Sequence, residues 1–145
     1  MTTKIPITII NIENEGFHLL IDAKINNKKA RLIIDTGASS TVFDKEKIKK
    51  FVDEKKFISN DKLSTGLGTN SMKSEKTVLE KIIFGDLTIK KQPILLLDLS
   101  HVNNSYKSIG LKAIDGVLGS DLLLQFDAII DYKKCKLTLT KKGKK

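Results

Sequence analysis

Asp35-Thr36-Gly37 is the part of this 145-residue chain whose residue types and spacing could do chemistry. It follows the apolar run Leu32-Ile33-Ile34, so a carboxylate is delivered at the end of a strand. Such a position has a low dielectric, which disfavours the charged form. Gly37 permits a tight turn in which backbone N–H groups approach the carboxylate oxygens. Thr36 adds a hydroxyl able to brace that turn by hydrogen bonding. A carboxylate held in this way can exchange a proton with a water molecule as a general acid or base. Taken alone, the tripeptide is equally compatible with a turn that ends a strand and holds its own backbone.

The other reactive side chains offer less. His18, expected in a strand, and His101, expected in a loop, are the only histidines, and Cys135 is the only cysteine. None stands in an HExxH or CxxC pattern, so neither a metal site nor a disulfide framework is expected. Cys135 lies between Lys134 and Lys136, which could favour a thiolate, but it reads as a packed strand residue. Gly66-Leu67-Gly68 is not a phosphate loop, because no Gly-Lys-Ser/Thr follows it.

The elements that must position Asp35 have a period of two. Ile5, Ile7 and Ile9 alternate with Pro6 and Thr8, and turn formers follow from Asn11 to Gly16. Phe17 to Ile25 and Lys29 to Ile34 are two extended runs joined at Asn26-Asn27, a hairpin turn that feeds directly into Asp35. Asp44 to Lys56 has Ile48, Phe51 and Val52 on one helical face, with Asp44 as N-cap. Ser59 to Ser74 is polar and reads as a loop or hairpin tip. Thr77 to Phe84 and Leu87 to Leu97 are strands turning at Gly85-Asp86, with Ile94 to Leu97 buried on both faces. Ser100 to Ile114 reads as a long polar connection. The strand at Ile114 to Leu118 precedes a short helix, Leu122 to Phe126, capped by Ser120 or Asp121, and Asp127 to Asp131 and Lys136 to Thr140 close the domain as a hairpin.

Composition sets the bounds. Hydrophobic residues make up 40% and charged residues 30%, enough for one soluble domain with a core. No apolar run reaches the roughly 20 residues of a membrane helix, and the N-terminus lacks the apolar stretch of an export signal, so the expected location is cytoplasmic. The formal charge of +9 comes almost wholly from lysine, Arg31 being the only arginine. Groove readers of nucleic acid favour the planar arginine fork, and most lysines here alternate with acids, as in Asp44-Lys45-Glu46-Lys47. Nucleic-acid binding is therefore not expected, and the charge reads as a solvated surface. Lys141 to Lys145 is a basic, disordered tail beyond a single domain of residues 1–140.

In order along the chain, Ile33-Ile34-Asp35-Thr36-Gly37-Ala38-Ser39, Gly66-Leu67-Gly68 and Asp115-Gly116-Val117-Leu118-Gly119 resemble the catalytic loop, the flap tip and the second signature of the retropepsin-like aspartic peptidases. Phe126 to Tyr132 is similar to the closing strands of their bacterial members, and the resemblance runs from about Ile7 to Thr140. It implies a mostly β fold, a closed antiparallel acid-protease barrel with one or two short helices, with no metal or organic cofactor. Asp35 becomes the catalytic carboxylate, Thr36, Gly37, Ala38 and Ser39 its active-site loop, and Gly66, Leu67 and Gly68 a flap over the substrate. Val117, Leu118 and Gly119 support the loop from beneath, and Ala38, Ser39 and Val117 are candidates to line the substrate pocket.

Peptide hydrolysis needs an acid and a base, and two carboxylates about 3 Å apart meet both needs because they share one proton. A single Asp-Thr-Gly implies that the second aspartate comes from a second copy across a twofold axis. Asp35 with Asp115 inside one chain is the less favoured route to a pair. The resemblance further implies an extended peptide or protein substrate, added as a strand. Two features depart from the family pattern: Ala38 replaces the serine of pepsins, as in retroviral enzymes, and the terminal lysines would repel their mates, which points to a weak dimer or to one that uses other surfaces. A peptide-binding or dimerisation module without useful catalysis is the alternative.

Overall fold

The computed structural model describes residues 1–13, 16–60 and 74–142. Among them, two sheets carry the fold. β1 (Thr2–Pro6), β10 (Ile129–Asp131) and β11 (Lys136–Thr140) form a three-stranded antiparallel sheet with β11 in the middle. The larger sheet runs β2 (Thr8–Ile12), β3 (Gly16–Ile25), β4 (Lys28–Ile34), β9 (Gly116–Leu118), β5 (Val42–Asp44), β8 (Leu87–Leu97), β7 (Ser74–Phe84) and β6 (Ile58–Asn60). β7 also pairs with the end of β3, Lys24 against Ile83 and Ile25 against Ile82. The run β3-β4-β9-β5-β8-β7 therefore closes on itself. Pairing is mainly antiparallel, with two parallel pairs, β4 with β9 and β5 with β8.

The alternating isoleucines near the N-terminus serve both sheets. Ile5 belongs to β1 and Ile9 to β2, with the chain crossing between sheets at Ile7, whose N–H bonds the Cys135 carbonyl. Asn26 and Asn27 both have positive φ, 48° and 70°, which is the backbone of a two-residue type I′ hairpin turn. The Asn26 side chain donates to the Phe51 carbonyl and accepts from Lys81 N–H, so the hairpin is pinned to its neighbours.

The expected helix over Asp44 to Lys56 is instead two 3-10 turns, Lys47–Lys50 and Glu54–Lys56, separated by Asp53 in an extended conformation. Asp53 caps the second turn through Lys55 N–H, and that local bond competes with helix continuation. Asp44 keeps its capping part, accepting from the Glu46, Lys47 and Leu99 N–H groups. The expected polar connection contains α1 (Ser100–Ser108) instead, with His101 in its first turn. α1 has one fully buried residue, Tyr106, so its apolar face is too narrow to show as a helical pattern. Asp98 caps its start by accepting from Ser100 N–H.

The main core lies between the sheets and gathers Leu32 and Ile34 of β4 with Phe43, Ile82, Phe84, Leu137 and Leu139. A second cluster lies under α1: Ile12, Leu20, Ile33, Tyr106 and Ile114. β4 is thus buried on both faces, which is why Leu32-Ile33-Ile34 is an unbroken apolar run. Cys135 occupies the β10–β11 turn at φ 53°, not a strand, with its thiol 3.6 Å from the Tyr132 carbonyl. Lys141 continues the β1–β11 ladder: its N–H donates to the Met1 carbonyl, and its Nζ to that of Thr88. No helix among the described residues is long and apolar enough to cross a membrane.

Candidate active site

β4 ends at Ile34 and the chain turns at once. Asp35 N–H donates to the Leu118 carbonyl at 3.0 Å, carrying the parallel β4–β9 ladder one step past the strand. Ala38 N–H donates back to the Asp35 carbonyl at 3.1 Å, closing a four-residue β-turn. Gly37 N–H donates to Asp35 Oδ1 at 2.9 Å. The carboxylate thus folds back on its own turn, and a Cβ at position 37 would stand 3.3 Å from that same oxygen. Among the described residues, Asp35 Oδ2 accepts no hydrogen bond.

The loop is locked from behind by a network that the motifs do not announce. Ser120 N–H donates to the Ala38 carbonyl at 2.7 Å. Buried Thr41 accepts from Gly119 N–H at 3.0 Å and donates its hydroxyl to Asp121 Oδ1 at 2.7 Å, while Thr41 N–H donates to Asp121 Oδ2. In α2 (Ser120–Gln125) the N-cap position is Gly119, with no side-chain bond, and Asp121 Oδ1 also accepts from the first-turn Leu122 N–H at 2.8 Å, so Asp121 serves the helix start as well as Thr41. Gly119 is required by close approach, since a Cβ there would fall 2.7 Å from the Ser40 backbone and 2.9 Å from the Ala38 carbonyl. The spacing of Thr41 and Asp121 carries no local pattern, because the two meet only when the fold brings β5 beside α2.

Asp35 is solvent-exposed in the single chain, contrary to the low-dielectric expectation. The apolar strand holds its backbone, but the side chain stands past the strand end, on the wall of a groove. Thr36 does not brace its own turn. It makes no side-chain hydrogen bond to a described residue and faces two grooves on either side of the loop. The larger, about 450 Å³, holds Asp35 and Thr36 with Phe17, His18, Val102, Val117, Ile130 and Tyr132 among its walls. The smaller, about 240 Å³, lies between Thr36 and Leu123, Leu124, Ala128 and Ile130. Val117 lines the larger groove as expected, whereas Ala38 and Ser39 line neither. Leu118 is a core residue that acts through its carbonyl on Asp35 N–H. The flap assigned to Gly66, Leu67 and Gly68 lies outside the described residues.

Asp115 is not a partner for Asp35. Its N–H bonds the Arg31 carbonyl at the opposite end of β9, and its carboxylate accepts from Arg31 N–H at 2.8 Å and from Lys50 Nζ at 2.5 Å. Four residues of β4 separate the two sites, about 13 Å at about 3.3 Å per strand residue. Residues missed from sequence include Phe17, His18 and Tyr132 on the groove walls. His18 could have been found from register, since Leu19 pairs with Ile34 and so places His18 level with Asp35.

Residues 21–122 match the family model for aspartyl proteases. Among solved structures, the chain is similar to a retropepsin-like aspartic protease from Rickettsia conorii, with 26% identity and a TM-score of 0.57, over 96% of this chain and 91% of that one. It is also similar in fold to the retroviral protease-like domain of Ddi1 from Leishmania major, at 16% identity and a TM-score of 0.57, over 84% of this chain and 87% of that one. No curated protein matches the sequence significantly. The Asp-Thr-Gly turn at the end of β4, the β9 strand beneath it and a family match across most of the chain agree, and the protein belongs to the aspartyl protease family, with a retropepsin-like fold.

Proposed function

We propose that the chain works as a homodimeric aspartic endopeptidase, each subunit supplying one Asp35 to a shared pair of carboxylates. The observation that carries this reading is the half-used Asp35 carboxylate. Oδ1 is held by Gly37 N–H, while Oδ2 accepts no hydrogen bond among the described residues, and Asp35 lines a groove beside exposed apolar residues. Leu124 and Tyr132 are both exposed, and they flank Thr36 on its two sides. Large apolar side chains exposed on both sides of a functional loop mark a surface that a partner covers, and a second copy covering this one would bring its own Asp35 to the first.

β10 supports the same face. Among the described residues it pairs only with β11 and its other edge has no strand beside it, next to exposed Ile129. β11 is paired on both sides within the chain, by β1 and β10, so a dimer built on β10 would not need the terminal strand or the lysines that follow it. Desolvation by the partner would also supply the low dielectric that the single chain lacks.

In the dimer, the two carboxylates share one proton. The charged one takes a proton from a water held between them, and the neutral one hydrogen-bonds the scissile carbonyl. Attack by the water gives a tetrahedral diol, and return of a proton to the amide nitrogen releases the amine. Gly37 N–H holds the orientation of the carboxylate throughout, and Thr36 reaches across the axis to its mate.

The test is subunit mixing. Asp35→Asn chains mixed equally with unmodified chains would leave about a quarter of randomly paired dimers with two aspartates. Cleavage of a peptide library should fall in that proportion, and sedimentation should show dimers strengthened by a statine-type inhibitor. Cleavage linear in unmodified chain, or a monomer that still cuts, would defeat the shared site. Peptide binding without cleavage would favour the binding module.

A further inference from the structure

Resting on the groove reading above, we propose that His18 is a specificity-determining residue of the Asp35 groove. It selects peptides with a hydrogen-bond-accepting side chain, a carboxamide or carboxylate, at the position seated against it, and Tyr106 is the positioning residue that fixes its ring.

The register of β3 against β4 pairs Leu19 with Ile34, so His18 stands one step further on, level with Asp35, and both line the same groove. The His18 ring is half-buried, with Nδ1 2.7 Å from the Tyr106 hydroxyl and the two ring centroids 5.7 Å apart. Tyr106 comes from α1 and is 1% exposed, packed among Ile12, Leu20, Ile33 and Ile114. Among the described residues, His18 is the hydrogen-bond partner of that hydroxyl.

This pairing decides which ring nitrogen carries the proton. A buried hydroxyl whose hydrogen finds no acceptor is costly. Burial pushes the Tyr106 phenol up, with Arg31 pulling weakly the other way, so the hydroxyl keeps its proton. The arrangement that leaves no buried hydrogen unpaired has Tyr106 donating to Nδ1, which puts the imidazole proton on Nε2. Tyr106 is not a groove wall but His18 is, so the edge of the ring away from Tyr106 is the one the groove receives.

That edge presents one N–H donor beside the apolar walls Phe17, Val102 and Val117, while Asp35, Thr36 and Tyr132 are the other polar residues of the groove. An acceptor side chain satisfies the donor, whereas an apolar one covers it and strips it of water. Sites built around such a donor discriminate more sharply than apolar pockets do, because the wrong ligand leaves a polar group unpaired. The proton-sharing carboxylates have no use for His18 in the reaction itself, so its effect falls on which peptides are held.

The experiment uses the full chain and a set of statine-centred peptides with Gln or Leu at each flanking position in turn, scored by affinity. A matching cleavable set is scored by kcat/KM. At one position Gln should bind about tenfold more tightly than Leu. His18→Leu should bring that ratio close to one at that position only, and Tyr106→Phe, which keeps the packing but frees the tautomer, should lower it part-way. Ratios unchanged in His18→Leu, or reduced equally at every position, would overturn the proposal. The affinity arm reports whether or not the peptides are cut, so a groove that binds with the Gln preference but never cleaves would count against the endopeptidase reading and for this one.

Discussion

Asp35 and Asp115 occupy opposite ends of the same parallel strand pair and are treated in opposite ways. Asp115 is 5% exposed and both its oxygens are engaged, one by Arg31 N–H and one by Lys50. Asp35 is exposed and has a single donor among the described residues, Gly37 N–H. Both precede the glycines of recognisable motifs, so residue type alone does not separate them. The number of donors already committed to each carboxylate does. A carboxylate whose lone pairs are used up ties strands together, and one with an oxygen to spare can accept a water or a substrate proton.

That contrast can be broken by substitution. Asp35→Asn should lower peptide cleavage by about a thousandfold or more and leave stability within about 0.5 kcal/mol, as for other exposed positions. Loss of fold in that variant would remove the distinction. Gly119→Ala should destabilise by about 3 kcal/mol, because its Cβ meets the Ser40 backbone at 2.7 Å. Denaturant unfolding would read it, and an unchanged midpoint would mean the loop has room that the geometry denies. Asp115→Ala leaves the part-buried Arg31 N–H without its side-chain acceptor, a loss of about 2 kcal/mol. Lys50 is half-exposed and can turn to water, so it adds little. Cleavage per folded molecule should be unchanged, and a selective loss of turnover would give Asp115 a chemical role after all.

Two smaller effects sharpen the picture. Thr41→Val removes the acceptor of Gly119 N–H and the hydroxyl donor to Asp121, at a cost of about 1 kcal/mol. Turnover should fall more than that loss of folded protein explains, since the same bonds hold the loop carrying Asp35. The smallest is at Asp98. The Ser100 hydroxyl, and then the Ser100 N–H, hold its carboxyl below the usual carboxylate range. A lowered folded pKa contributes stability that is present above the ordinary value, near 3.8, and is lost as pH falls through the lowered one. Amide exchange in α1 should therefore quicken slightly below that pH in the native chain and show no such dependence in Asp98→Asn.

The same two aspartates explain how much was legible in the residues. Asp35-Thr36-Gly37 is local chemistry, a strand end, a turn and a bond over two residues, and such features are visible in order along the chain. Val117, Leu118 and Gly119 were legible as a motif, but their register with β4, set by residues about 80 positions away, was not. Thr41 with Asp121 and His18 with Tyr106 are pairs of the same long-range kind and leave no mark on local spacing. α1 escaped because a helix resting on one buried tyrosine is nearly all polar, and the Asp44 to Lys56 stretch misled because its apolar spacing fits a helix that Asp53 interrupts. Hairpins fared best: Asn26, Asn27 and Gly85 take positive φ in their turns, and their residue types announce it.

The ends of the chain have a consequence of their own. Met1 and Lys141 exchange both backbone hydrogen bonds, its amino group to the Lys141 carbonyl and the Lys141 N–H to the Met1 carbonyl. In covalent terms the domain is one short linker away from being a ring. Ligating Lys142 to Met1 through a few flexible residues would leave the native pairing undisturbed while shrinking the unfolded ensemble. A cut could then be opened in any exposed turn, such as Tyr132 to Cys135, giving a permuted chain whose new ends emerge beside the open edge of β10, a placement suited to tethering two copies in tandem.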